Sequence, residues 1–139
     1  MTSASLLSLE LCAFLEESVD SLESMRALLL VRDHPNEPLS PARVATALGV
    51  SPVAATVALD GLVAHGLLVP LDERRERYRL AELDPRSSHL LEELARAYWN
   101  ARVELLAEVA HHSVKRVRDQ ARRLFREALR HRGGEVTGG

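Results

Sequence analysis

Apolar positions along this chain recur mostly at helical spacing. Leu7, Leu11, Phe14 and Leu15 step by three and four, which predicts a helix over about 6–17. Asp20 with Glu23 fits a capping box, and Leu22, Met25, Leu28 and Leu29 form the inward stripe of a second helix. Pro35 and Pro38 end it, because proline cannot sit inside a helix. Ser40-Pro41 then places an N-cap residue before a proline suited to the first helical position. That start predicts a short helix over 41–48 with Val44, Ala45 and Leu48 inward, stopped by Gly49. Ser51-Pro52 repeats the start signal for a helix to about 65, with Ala55, Leu59, Leu62 and Val63 inward and Gly66 as its stop. Residues 67–71 and 78–80 read as short strands around the charged tip Asp72-Glu73-Arg74-Arg75-Glu76-Arg77. Pro70 restricts the first strand to an edge or a short pairing.

After Asp84-Pro85, Ser87 or Ser88 is the expected cap of a long helical region. Leu91, Leu94, Tyr98, Ala101 and Leu105 form a heptad-like seam, and Val114, Val117, Ala121, Leu124 and Ala128 form another. The two registers disagree by two residues. Either the helix breaks near His111-His112-Ser113, with Ser113 capping a new one, or it runs straight and uses two faces; the break is favoured. Residues 1–4 are expected to be loose, and Gly133-Gly134 to end the helix before a disordered tail.

Two helices joined by a Gly-Val-Ser turn and followed by a hairpin form a specific order. It predicts a winged helix-turn-helix over 39–80 in a mainly α chain with a small β wing and a long C-terminal helical extension. Ala54, Ala55 and Ala58 are small where the second helix must cross the first. The organisation read from these signals is an N-terminal helix (1–19), the winged domain (20–83), a helical dimerisation or docking region (84–132) and a tail (133–139).

Val44-Ala45-Thr46-Ala47-Leu48-Gly49-Val50-Ser51-Pro52 and Leu59-Asp60-Gly61-Leu62-Val63-Ala64-His65-Gly66-Leu67-Leu68 resemble winged-helix regulators of the MarR and ArsR type. A closer resemblance, over about 20–110, is to a group of uncharacterised bacterial winged-helix regulators, through Arg26-Ala27-Leu28-Leu29-Leu30-Val31-Arg32, Leu94-Ala95-Arg96-Ala97-Tyr98 and Arg102-Val103. The resemblance implies the fold strongly and the function loosely. It implies a second helix that enters the DNA major groove.

Composition changes the picture in two places. A 46% apolar chain with only 4% aromatic residues builds its core from Leu, Val and Ala. Its single cysteine, Cys12, excludes an intramolecular disulfide and a cysteine-cluster zinc site, and it reads as a small core residue. The net charge of −2 hides a gradient: residues 1–38 hold seven acids and two bases, while 113–139 hold eight bases and three acids. Lys115, Arg116, Arg118, Arg122, Arg123, Arg126, Arg130 and Arg132 make a basic amphipathic helix suited to DNA, an anionic membrane surface, an acidic partner, or the acidic first helix with Glu10, Glu16 and Glu17. No stretch approaches the roughly 20 apolar residues of a membrane span, and no basic leader precedes an apolar run, so a cytoplasmic protein is expected.

For DNA the candidates are Arg43, Ser51, Pro52, Ala54, Thr56, Arg74, Arg75 and Arg77. The first turns of the second helix offer Pro52, Val53, Ala54, Thr56 and Val57, none of them the Arg, Lys, Asn or Gln that pairs bidentately with a base edge. Charge for holding double-stranded DNA therefore lies in the wing and the C-terminal helix, and Asp60 would repel phosphate if it faced it. Leu91, Leu94, Tyr98, Ala101, Leu105, Val117 and Leu124 are the expected dimer or partner interface, with Trp99 a further interface candidate. Glu108 and His112 have i, i+4 spacing, but no metal site, other cofactor or enzyme active site is expected. The expected function is a homodimeric winged-helix transcriptional regulator; the alternative is a winged-helix protein–protein interaction module whose Pro52, Val53, Ala54 and Val57 grip a protein.

Overall fold

A computed structural model describes residues 7–138, with side chains through residue 130. The expectations for residues 1–4 and for the Arg132 side chain lie outside what is described. Among the described residues, six helices and a two-stranded antiparallel sheet follow in the order α1 (Leu9–Ser18), α2 (Leu22–Arg32), α3 (Pro41–Leu48), α4 (Pro52–Ala64), β1 (Leu68–Pro70), β2 (Tyr78–Leu80), α5 (Pro85–Asn100) and α6 (Arg102–Gly138). Among the described residues no single helix is long and apolar enough to cross a membrane.

The serine-proline starts work as anticipated. Ser40 Oγ accepts from the Arg43 N–H and Ser51 Oγ from the Ala54 N–H, both at 3.1 Å. Gly49 closes α3 at φ 71°, ψ 34°, a left-handed backbone that suits glycine, and the N–H groups of Gly49 and Val50 both return to the Ala45 carbonyl. The chain then bends by 111° between α3 and α4. α4 lies against α2 and α3, burying Ala55, Ala58, Leu59 and Leu62.

Leu68 pairs with Leu80, Val69 with Arg79 and Pro70 with Tyr78. Leu39, just before α3, adds a single bridge to Tyr78, exchanging both backbone hydrogen bonds at 3.0 and 2.9 Å. The hairpin thereby joins the helical core, with Leu39, Leu67, Leu68 and Tyr78 all buried.

Several local expectations are corrected. α2 is capped by Ser21, whose Oγ accepts from the Ser24 N–H at 3.1 Å, and not by Asp20. Asp84 caps α5, accepting from the Ser87 N–H at 2.7 Å, in place of Ser87 or Ser88. That contact holds the Asp84 carboxyl below its usual pKa. The break in the C-terminal region falls at Ala101 (φ −141°, ψ 45°), and α6 runs unbroken through Ser113. Ser113 caps nothing; its Oγ donates to the Asp20 carbonyl at 3.1 Å. The helical backbone also continues past Gly133-Gly134 to Gly138, since glycine weakens a helix by about 1 kcal/mol without forbidding it.

The two seams thus occupy two faces. The first, through Ala101, Leu105 and Val109 to His112, is buried. Beyond it Val114, Val117, Leu124, Phe125 and Leu129 stand exposed.

Candidate nucleic-acid interface

α4 buries one side against α2 and α3, which leaves Val53, Thr56, Val57 and Asp60 on a common outward stripe. Val53 is 74% exposed and Val57 67%. Ser51 and Thr56 are already engaged: Ser51 caps α4, and the Thr56 hydroxyl donates to the Pro52 carbonyl at 3.0 Å. Pro52 is exposed and Ala54 half-buried, with only apolar side-chain atoms to offer.

Asp60 ends this stripe, and the wing answers its charge. Arg75 Nη1 donates to Asp60 Oδ1 at 2.8 Å and the Tyr78 hydroxyl donates to the same oxygen at 2.7 Å. Arg75 is the one non-glycine residue among those described with positive φ, at 56°, so the wing tip turns back in a left-handed conformation that points this arginine toward α4. The Asp60 hydrogen bond holds the Arg75 guanidinium above its usual pKa. Burial, then the Asp60 hydrogen bond, pushes the Tyr78 phenol up to about 12.

The arginines predicted for DNA therefore divide. Arg43 pairs with Glu37 and Arg75 with Asp60. Arg74 has an 84% exposed side chain and only a 4.0 Å approach to Glu76, and Arg77 is exposed. Of these four, Arg74 and Arg77, both on the wing that reaches Asp60 through Arg75, have no strong partner among the described residues.

The predicted interface residues divide as well. Leu91, Leu94, Ala101 and Leu105 are buried within this chain, which leaves their side chains little surface for another. Tyr98 is half-buried, with the Arg102 guanidinium 4.3 Å from its ring centre and 5.5 Å from that of exposed Trp99. Val117 and Leu124 are exposed, at 68% and 58%.

A cluster that the sequence did not signal joins three elements at Asp20. Its Oδ1 lies 3.0 Å from His65 Nε2 at the end of α4 and 3.9 Å from Arg116 of α6. Arg116 also donates to the Val19 carbonyl at 2.7 Å and to the Glu16 carbonyl, gripping the end of α1. Lys115 approaches Glu16 at 3.6 Å. Gly61 makes room for this corner: a Cβ there would lie 3.2 Å from Asp20 Oδ2. The acidic first helix does meet the start of the basic segment within one chain, but only through Lys115 and Arg116; the arginines from 118 to 130 are exposed.

His112 is buried, with Nε2 2.7 Å from Glu108 Oε2. Among the described residues no three His, Cys, Asp or Glu side chains gather as metal ligands. Cys12 packs half-buried against the core, and burial, helped by Glu108 and Glu93, pushes its thiol pKa up, away from the reactive thiolate.

The module is a winged helix-turn-helix. Its 111° turn through Gly49, the uncovered face of α4 and the adjoining hairpin together define that geometry. No family model and no curated protein matches the chain. Among solved structures it is similar to a mutant of MepR from S. aureus (15% identity, 86% of this chain and 88% of that one, TM-score 0.47). It is similar also to a multiple antibiotic-resistance repressor from Listeria monocytogenes (15% identity, 82% and 83%, TM-score 0.45). A third is the adhesin competence repressor from Streptococcus pyogenes (24% identity, 84% and 87%, TM-score 0.44). Superpositions this loose carry no argument about function, and the fold stands on the chain's own geometry.

Proposed function

We propose that this chain is a winged-helix DNA-binding transcriptional regulator acting as a homodimer. The observation that supports DNA binding is the uncovered outward stripe of α4 lying beside a wing whose Arg74 and Arg77 remain free of strong intrachain partners. In this reading α4 enters the major groove and the two arginines hold phosphate or the minor groove. Neither α3 nor α4 carries an acid in its first turn, so the positive ends of both helix dipoles are left unopposed.

The homodimer is supported by the uncovered distal stripe of α6, with Val114, Val117 and Leu124 spaced three and seven residues apart. Exposed Glu10 and Glu17 of one copy are available to the arginines beside that stripe on the other.

A gel shift on random-sequence duplex DNA at graded salt tests the reading. Two wing arginines on each of two subunits give four phosphate contacts, so log affinity is expected to fall against log salt with a slope of about −4. Replacing Arg74 and Arg77 with Ala flattens that slope; an unchanged slope moves the contact to the distal arginines of α6. Absence of any shift at about 50 mM salt, where such contacts are far stronger than at physiological salt, rejects DNA binding. That result favours a second reading, in which exposed Val53 and Val57 seat a partner protein.

A further inference from the structure

The outward face of α4 is largely apolar. Along its outward stripe the side chains are Val53, Thr56, Val57 and then Asp60. The only hydroxyl among them, on Thr56, is turned to its own helix by the bond to the Pro52 carbonyl. The only charge, on Asp60, is matched by Arg75 and by the Tyr78 hydroxyl. What stands foremost to approach a groove is a set of methyl groups on two strongly exposed valines, on a helix that meets the arginine-bearing wing at Asp60.

Among the groups that base pairs display in the major groove, most are hydrogen-bond donors or acceptors, and the one methyl group is the C5-methyl of thymine, where cytosine has only a hydrogen. A reading stripe whose one hydroxyl has already given its proton to its own helix, and which has no Arg, Lys, Asn or Gln, therefore draws its sequence information chiefly from that methyl or from shape. We propose that Val53 and Val57 read thymine C5-methyl groups, so that the preferred duplex is marked by methyls in the major groove. This rests on the DNA-binding reading above and names the base feature that the same face selects. The occupant is fixed by the surroundings of the stripe. The wing beside it supplies positive charge for a phosphate backbone, and the Arg75–Asp60 pair removes the negative charge that would repel one. Asp20 and Glu23 lie on the far flank, across Ala54 and Val57 toward α2, and Asp20 is itself held by His65 and Arg116. The same chemistry extends to 5-methylcytosine, which carries its methyl at the equivalent ring position.

The test compares alternating poly(dA-dT) with poly(dA-dU), which keep the same Watson–Crick hydrogen bonds and differ in the C5-methyl. Wing contacts in the minor groove are common to both and cancel. Each methyl removed from water against a valine corresponds to about a fourfold change in affinity. The full chain is therefore expected to bind the thymine polymer at least about fourfold more tightly, and poly(dG-dC) to gain in the same direction when its cytosines carry the 5-methyl group. The double variant Val53→Ser, Val57→Ser is expected to bind the two A-containing polymers within about twofold of each other, and it is that ratio, whatever the absolute affinity, that reads the methyl contact. Both residues are surface-exposed, so an unchanged melting temperature confirms that the variant is folded.

Equal binding of the unaltered chain to the thymine and uracil polymers overturns the methyl reading while leaving DNA binding in place. A thymine preference that survives in the double variant assigns the methyl contact to another element and overturns it too. No binding to any of these duplexes at about 50 mM salt overturns the DNA-binding reading and this inference together.

Discussion

The proximal and distal parts of α6 belong to one unbroken helix yet meet different surroundings. From Arg102 to His112 the inward face is closed by α1 and α5, and Leu105 and Val109 are fully enclosed. From Val117 onward every described side chain is exposed, including Leu124, Phe125 and Leu129. Both parts carry apolar residues at helical spacing, so their sequences look equally core-like. The difference shows that an amphipathic stripe states only that something must cover it. Whether the cover comes from the same chain depends on how far α1 reaches, and α1 ends at Ser18 under the grip of Arg116.

Paired truncations break or confirm this contrast. Leu105→Ala should cost about 2–5 kcal/mol of folding stability by leaving a cavity in the core. Leu124→Ala should leave the stability extrapolated to low protein concentration within about 0.5 kcal/mol of the unaltered chain, as for other exposed positions. Urea unfolding across a range of protein concentrations separates the two, and an equal loss in both would place the distal stripe in a core. Leu124→Glu carries the contrast to assembly. A charge at the centre of a helix–helix seam should weaken self-association by about 2 kcal/mol or more, roughly thirtyfold. Sedimentation should then show a two-chain particle becoming a one-chain one; a mass that never exceeds one chain removes the homodimer.

Arg116 stands at the border between the two parts. Arg116→Ala removes its hydrogen bonds to the Val19 and Glu16 carbonyls and is expected to cost about 1 kcal/mol, modest because the side chain is partly exposed. Hydrogen exchange should report faster opening at the α1–α2 corner and little change at Leu105.

The smallest effect is expected at the wing, which serves as a distant control. Below about pH 10 the phenolic proton of Tyr78 is held in both the folded and unfolded chain. Between there and the folded value of about 12 only the folded chain holds it. The contribution of Tyr78 to stability therefore falls as pH rises through that window, and Tyr78→Phe should abolish that component. An ultraviolet titration should give the same late-ionising tyrosine in Leu124→Glu as in the unaltered chain. A shift between them would mean that assembly is felt at the wing.

Local chemistry made the helix-turn-helix legible. Ser40-Pro41, Gly49 and Ser51-Pro52 each fix a backbone conformation by themselves, and the boundaries of α3 and α4 followed closely. Where neighbouring residues competed for one task, sequence could not choose. Asp20 and Ser21 are both good caps, as are Asp84, Ser87 and Ser88, and only the backbone path decides between them. The break at Ala101 lacks a proline or glycine to announce it. At the candidate site the exposure of Val53 and Val57 followed from helix periodicity, whereas the ties of Asp60 to Arg75 and Tyr78 did not. Those partners lie 15 and 18 residues away and meet Asp60 only once the hairpin has folded onto α4. The residues Leu91, Leu94, Ala101 and Leu105 show the same ambiguity as α6: they are buried within the chain's own core, and a seam for that core and a seam for a partner share one pattern.

The continuity of α6 past Ser113 has a mechanical consequence. The stretch from Arg116 to Arg130 spans about 21 Å at 1.5 Å per residue, and its base is pinned to the α1–α2 corner. It is a lever with its fulcrum beside Asp20, and Asp20 lies 3.0 Å from His65 at the end of α4. A tilt of about ten degrees displaces the far end by about 4 Å over that length. A load applied at the far end of α6 would therefore be felt first at Arg116 and Asp20, the contacts at its base.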